Sequence, residues 1–558
     1  MGILELDLEK GLYLGIDFGT TNSVVSIYNA EMGEVQTIPI DGSNIFPTAI
    51  QFEPDLEDEG KLMRVFGVQA KEAAIIYPQS TVLSVKRFFG SKNKVDIVVD
   101  GNSFSFTPEQ IAGEILSYMK QKAEEYIQDE LGIFTEFNGC VITVPANSTD
   151  KQKKVTKKAA ILAGFDEDAV YLRLEPAAAS ISYAIGEKSD KKVLIYDFGG
   201  GTFDACILEV CSPGTEEPSI TILSTYGDND LGGNDIDKII MDMVYEQFRQ
   251  ITDGVIDLFD LDTDDGVSVR SKQIALIRLL QASNQAKERL SKSKSTKIIL
   301  APFIQEPKIV NINMEITCDD FYNHKRVNQL DDSLEIFEKF KGKSVNDIID
   351  ITFGCMDSCM KAAGVTAEQI DEIFLVGGSS SITLISDKIE EKFGKAPFRS
   401  RISPALSISQ GAAYYCNMIT SPSEKRLSVN ERTVHPLGLE ISGRRFLEVV
   451  RRGMDIPPGG LTVEADELLM TNLDDATSMA IVVYENAIAS EGILPATVNE
   501  EGMKRLGGTS LRGIPQNQKG AERVKVIFNI SQDNMLKVTA SSTSTAGAVT
   551  ELSVDDMY

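Results

Sequence analysis

One motif occurs twice. The segments LYLGIDFGTTNSVVSIYN (Leu12 to Asn29) and VLIYDFGGGTFDACILEV (Val193 to Val210) share an order: an apolar strand, Asp-Phe-Gly, a turn of small residues, then a second apolar strand. Each reads as a β-hairpin with a Gly/Thr turn and a carboxylate, Asp17 or Asp197, at the end of its first strand. A hairpin repeated at such separation predicts two homologous α/β halves instead of one continuous sheet.

The surroundings agree. Apolar strands at Gly139 to Val144 and Glu372 to Val376 both run into helical patterns. Ser148 or Thr149 is placed to cap the first helix, which ends near Gly164. Gly377-Gly378-Ser379 forms a third glycine turn opening the second. Strand–helix alternation predicts two lobes with mixed sheets over residues 1–419: lobe I over 1–190, lobe II over 191–382, and a closing helix reaching 418. The patterns Ser271 to Leu290 and Val345 to Gly364 predict a helical subdomain inserted over 230–360. Residues 420–432, TSPSEKRLSVNER, read as a polar linker. Alternating runs at Phe446 to Val450, Ala480 to Tyr484, Val524 to Ile530 and Met535 to Ala540, with Thr550 to Val554 beyond, predict an antiparallel β-sandwich over 433–558. Ala487 to Gly508 reads as a long loop or an extra hairpin.

Charge removes whole classes of partner. The chain of 558 residues carries 55 Lys and Arg against 83 Asp and Glu, a net charge of −28, which excludes wrapping nucleic acid or lying on an anionic membrane. No run reaches the roughly 20 apolar residues of a spanning helix, and MGILELDLEKG lacks a signal-peptide pattern, so a cytoplasmic location is expected. Seven scattered cysteines read as free, mostly buried thiols. Cys355 and Cys359 lie one helical turn apart, but His324 and His435 are far from each other and from any cysteine pair, so structural thiols are expected there and not zinc.

The turns carry the chemistry. Successive backbone N–H groups in a Gly/Thr turn make an anion nest, and two nests facing each other can hold one polyphosphate. Asp17 and Asp197 would then meet Mg²⁺ through its waters, because that ion sheds water reluctantly. Ordinary Gly-rich hairpins are the alternative; two copies plus a third glycine turn disfavour it. Neither a G-x-x-x-x-G-K-[ST] loop nor a G-x-G-x-x-G after a strand is present. Asp260-x-Asp262-x-Asp264 departs from a calcium loop at Gly266 and Ser271 and reads as a solvated acidic loop. The run Lys151, Lys153, Lys154, Lys157, Lys158 reads as a solvated helix face.

These residues resemble the seventy-kilodalton heat-shock chaperones of the DnaK type. IDFGTTNS from Ile16, KRFFG from Lys86, VPA from Val144, EPAAASISY from Glu175, DFGGGTFD from Asp197, GDNDLGGND from Gly227 and FLVGGSS from Phe374 match that family in order and spacing. PLGLE from Pro436, MAIVVYEN from Met479 and the segments from Gly513 to Ser541 extend the likeness more loosely. The resemblance implies an actin-like (ribonuclease H-like, duplicated) two-lobe α/β ATPase domain followed by an all-β sandwich that binds peptide.

It further implies ATP or ADP with Mg²⁺, with K⁺ a second candidate ion, held by Gly19, Thr20, Thr21, Asn22, Gly199, Gly200, Gly201, Gly232, Gly233, Lys287, Ser291, Gly377, Gly378 and Ser379. Asp17 and Asp197 would face the metal. Lys86, Glu175, Thr202 and Asp204 would orient and polarise water for in-line attack on the γ-phosphate. In the sandwich, Leu439, Ile441, Leu469, Met479 and Ile481 match a channel for an extended apolar peptide, under an arch at Ser442 and Asn472; plain sandwich core is the alternative. Unfolded polypeptide, a J-domain co-chaperone and a nucleotide-exchange factor are the partners implied.

Four departures qualify this. Asn284 and Ser381 stand where the family usually has a Glu and often an Arg, which predicts weaker purine clamping. Glu424 to Asn430 replaces a run of leucines in the linker, which predicts weakened or altered coupling. The arch residues Ser442 and Asn472 are polar, and no helical lid is read before Tyr558, so fast peptide release is expected. The function expected is an ATP-hydrolysing chaperone with slow intrinsic turnover. Two other classes stay open: a chaperone-derived scaffold that binds ATP with little turnover, and, ranked last, a small-molecule kinase.

Overall fold

Both hairpins form, and each sits in the same place in its own sheet. The computed structural model describes residues 12–29, 34–55, 57–58, 61–91, 94–132, 136–146, 148–184, 189–211, 219–260, 264–328, 330, 338–398, 403–420, 428–433, 435–457, 459–486, 497–500, 503–531, 535–543 and 549–552. In lobe I the order is Val170–Leu174, Phe137–Val144, Leu12–Phe18, Asn22–Asn29, Glu34–Ile38, with Phe46–Pro47 paired to Asn22–Asn29. In lobe II it is Glu372–Val376, Lys191–Phe198, Phe203–Cys211, Ser219–Asp228. In both, a parallel neighbour flanks the first hairpin strand and an antiparallel third strand flanks the second. The strands are near-continuous apolar runs because both faces are covered: all six residues from Val193 to Phe198 are buried.

Helix ends follow the chemistry read from sequence. Thr149 caps Asp150–Leu162, accepting from the Gln152 N–H at 3.3 Å while Gln152 Oε1 accepts from the Thr149 N–H at 2.9 Å. Val345–Ala363 starts with the same reciprocal box between Ser344 and Asp347 and ends at Gly364 with φ 65°. The helix Ser407–Thr420 closes lobe I by direct backbone contact: a Cβ on Gly411 would lie 1.8 Å from the Ala178 carbonyl oxygen. That packing fixes Glu175–Ala184, every residue of which is buried, and hence the position of Glu175 at its first turn.

Three expectations need correction. The insertion is not purely helical: beside Gly233–Ile251 and Val269–Leu290 it carries the antiparallel pair Ser295–Ile304 and Val310–Thr317. The acidic loop is only partly solvated. Asp260 and Asp264 are exposed, but next to them Asp265 and Lys272 form a 2.8 Å ion pair with both side chains 1% exposed. Along the Lys151 to Lys158 face, Lys153 is buried. Asp262 lies outside the described residues.

The linker also differs from expectation. Ser428–Arg432 is a strand, pairing parallel with Ser219–Asp228 and antiparallel with Asp455–Ile456, so that it extends the lobe II sheet and ties in the C-terminal part. There, a sheet ordered Arg445–Val450, Leu437–Ile441, Ser478–Asn486, Met503–Arg512 packs against Leu461–Glu464, Arg523–Ile530, Leu536–Ser542, Val549–Leu552. Leu439, Ile481 and Val483 from one sheet share a buried core with Val526, Phe528 and Val538 from the other. Met503–Arg512 is a strand that begins inside the stretch read as loop or hairpin and runs past its end, while residues 487–496 and 501–502 lie outside the described residues.

Candidate nucleotide site

The two hairpin turns meet. A Cβ on Gly200 would lie 2.5 Å from Thr21 Oγ1, and one on Gly201 would lie 3.3 Å from Thr20 Oγ1, so only glycine lets the second turn come this close to the first. The start of Gly233–Ile251 is pinned to the same place, with the Gly233 N–H donating to the Gly199 carbonyl at 3.0 Å and the Asn234 N–H to the Gly200 carbonyl at 2.8 Å. Gly232 packs on Gly200 and Gly201, and Gly233 on Ser379 in the third glycine turn, Gly378–Ser381. Gly377, at φ +79°, lies against Phe198 and Asp197. Four chain segments thus converge on one cleft.

Acidic groups line its floor. Lys86, on the short turn Val85–Phe88, donates to the Phe18 carbonyl at 2.6 Å and stands 3.6 Å from Glu175 Oε1. Glu175, Asp197 and Asp204 are buried, and Asp17 partly so. Burial, then Glu175, pushes Asp17 up to about 7, with Lys86 opposing. Burial also raises Glu175, and burial followed by Glu175, Asp204 and Asp17 raises Asp197 well above the ordinary carboxylate range. Asp197 Oδ2 and Thr21 Oγ1 are buried without a hydrogen-bond partner. Four carboxylates around one lysine, with an orphaned acceptor and an orphaned hydroxyl, fit a divalent cation and an oxyanion. A cavity of about 180 Å³ adjoins them, lined by Thr20, Lys86, Pro145, Gln152, Thr202 and Asp235.

A cation held at these oxygens would compete with protons for them. Mg²⁺ affinity is therefore expected to rise with pH up to the neutral range where Asp17 ionises, and to level off above it. Calorimetric titration of the nucleotide complex from pH 6 to pH 8 checks this; a flat profile would contradict it.

On the other side of the cleft, Lys287 Nζ donates to the Gly233 carbonyl and to Asp237 Oδ2, each at 2.9 Å. Asn284 Nδ2 donates to the same Asp237 oxygen at 3.2 Å, and Ser291 Oγ to the Lys287 carbonyl at 3.1 Å. Asp237 Oδ1 and Ser283 Oγ are buried with no partner. Asp237 was not singled out from sequence, although it stands two residues after Asp235 in the GGND segment. Ser381 is exposed, and so is Asn22 at the start of its strand.

The sandwich residues divide. Leu439 and Ile481 belong to the core at 0% and 1% exposure, while Leu469 and Met479 pack at its edge and Ile441 is half-buried. Ser442 and Asn472 are exposed. Near Leu469 and Asn472, Met470 and Leu473 are 57% and 66% exposed.

A further contact surface was missed from sequence. Arg452 donates to the Thr225 carbonyl at 2.9 Å and lies 5.6 Å over the Tyr226 ring, and the Leu536 N–H donates to Asp150 at 3.3 Å. His435 and Glu485 face the Asp150 helix across a small gap. Burial, then Arg452, Lys504 and Lys153, pushes His435 down to about 3, while burial raises Glu485. The sandwich is therefore seated on both lobes.

Paired hairpin turns over an acidic, lysine-bearing floor, with a sandwich attached by a strand, define a two-lobed α/β protein with a polyphosphate-type cleft. The chain belongs to the Hsp70 family: the model for Hsp70 protein matches residues 13–557. It is similar to the chaperone protein DnaK of two strains of Halobacterium salinarum, 29341/R1 and NRC-1, each 30% identical over 537 residues, 96% of this chain and 74% of the relative. The family is one of ATP-binding heat-shock chaperones active in protein folding. Among the described residues no helix is long and apolar enough to cross a membrane.

Proposed function

We propose that this chain is an ATP-dependent chaperone, with an actin-like nucleotide domain over residues 1–419 and a peptide-binding sandwich over 433–558. The carrying observation is the meeting of the two hairpin turns above Lys86, with Thr21 Oγ1 and Asp197 Oδ2 unpartnered between them. Backbone N–H groups of Gly19 to Thr21 and Gly199 to Thr202 would hold the phosphates, and Asp17 and Asp197 the hydrated Mg²⁺. The bound ion would neutralise charge building up on the phosphate oxygens. Glu175, beside Lys86, is held by its helix where it can orient a water, and its raised pKa suits it to take a proton from that water. Asp204 and Thr202 sit across the same cleft to fix the line of attack.

In the sandwich, Ile441, Leu469 and Met479 form the half-buried rim of a site for an extended apolar segment, floored by Leu439 and Ile481. Main-chain pairing supplies sequence-tolerant affinity, and the Met479 thioether adapts to different side chains. Family members being ATPases, and the DnaK relatives being chaperones, support both halves of this reading.

The test is steady-state ATP turnover of the full chain with and without an unfolded apolar peptide. Slow basal turnover, raised by peptide, is expected. Absence of turnover at saturating Mg²⁺ and ATP would overturn the enzymatic reading and leave a scaffold.

A further inference from the structure

Away from the cleft, one of the two histidines of the chain faces two carboxylates. Asp242 and Glu246 stand one turn apart on Gly233–Ile251, and His324 follows the helix Cys318–Asn323. One ligand atom from each of the three lies within 4.8 Å of the other two. We propose that Asp242, Glu246 and His324 form a binding site for a zinc-like divalent cation, separate from the nucleotide metal.

Charge and geometry both point this way. Asp242 is 0% exposed, and buried charges are found paired or on metals. Its oxygens accept from the Val327 N–H at 3.2 Å, the Asn328 N–H at 2.8 Å and Asn328 Nδ2 at 2.9 Å, all neutral. The remaining contact is His324 Nε2, 2.8 Å from Oδ2, and half-buried Glu246 adds a second negative charge. Two ligands bonded to zinc at about 2.0–2.1 Å and a tetrahedral angle sit roughly 3.3 Å apart, so the imidazole and carboxylate are already spaced almost as a shared ion requires. Metal binding needs the neutral tautomer with its proton on Nδ1: the proton on Nε2 passes to solvent, Nδ1 holds one, and Nε2 is left as a lone-pair donor. The Oδ2 lone pair that had accepted from Nε2 then turns to the ion, and the backbone bonds to Asp242 persist. One nitrogen and two oxygens suit Zn²⁺, with water in the fourth position, better than Mg²⁺, which takes oxygen ligands. Such an ion would fasten the helix that starts at Gly233 to the segment 324–328.

The test uses the full chain, reduced and saturated with Mg²⁺ and ADP so that the cleft is already occupied. Calorimetric titration with Zn²⁺ should give one further ion per chain, and Co²⁺ should give a visible absorption spectrum of nitrogen and oxygen ligation. His324→Ala and Glu246→Gln should each weaken Zn²⁺ binding at least tenfold while ADP affinity is unchanged. Should His324→Ala fail to fold, Glu246→Gln decides. No second ion, a spectrum of thiolate ligation, or affinity indifferent to these substitutions would overturn the proposal.

Discussion

Lys86→Ala is expected to lower ATP turnover by about 10²–10³, the range seen when one preorganised charge or donor is taken from a developing transition state. The lysine is held by the Phe18 carbonyl at 2.6 Å and by Glu175 at 3.6 Å, on a turn packed under the first hairpin. Among the described residues, its charge is the basic one set against Asp17, Glu175 and Asp197, and it opposes the rise of each of their pKa values. Removal leaves those acids more repulsive toward an incoming phosphate, but in the proposed arrangement most of the phosphate grip would come from backbone N–H groups that the substitution does not touch. ATP affinity should therefore change by only a few-fold, so the loss falls on kcat. Single-turnover hydrolysis with separately measured ATP binding distinguishes the two. A variant that cleaves ATP at the parental rate would remove Lys86 from the chemistry.

How far the sequence could be read depended on which part of a residue does the work. The hairpin turns were legible because the requirement for small residues at Gly200 and Gly201 is imposed by close approach of Thr21 and Thr20, and glycine leaves a visible mark in a chain. The cap at Thr149, offered together with Ser148, was legible for the same local reason. The pair Ser295–Ile304 and Val310–Thr317 alternates buried and exposed positions and was hidden by the helices on either side. Nothing local marks Lys272 and Asp265 as a fully buried pair, since each is compensated by a partner seven positions away in an acidic loop. Leu439 and Ile481 show the limit for apolar residues: alternation puts them on the inner face, but it does not separate channel wall from core.

Asn430→Pro is expected to release the sandwich from lobe II. Glu424 to Asn430, short of leucines, predicts weakened or altered coupling because it has little apolar surface to bury, and Glu424 to Leu427 lie outside the described residues. Ser428–Arg432 instead docks through its main chain, in a register that pairs Ser219 with Ser428, Ile220 with Val429 and Thr221 with Asn430, while Glu431 and Arg432 pair with Ile456 and Asp455 on the other side. Main-chain pairing is indifferent to side chain, which is how a polar segment can serve as a central strand. Proline cannot donate to a ladder and is tolerated only at edges and bulges, so the ring at position 430 strikes the strand at its pairing with Thr221, immediately before the residues that pair with Asp455–Ile456. A backbone group left unpaired in the ladder costs about 1–3 kcal/mol, which converts to a shift of roughly 5- to 150-fold toward the undocked arrangement. Arg452→Ala removes the bond to the Thr225 carbonyl and the stack on Tyr226 without touching the ladder, and should shift the same equilibrium less. Distances between labels on lobe II and the sandwich, measured with and without ATP, read both variants. If Asn430→Pro kept the parental distances and kept peptide-stimulated turnover, the strand would be incidental and the Arg452 and Asp150 contacts would be what seats the sandwich.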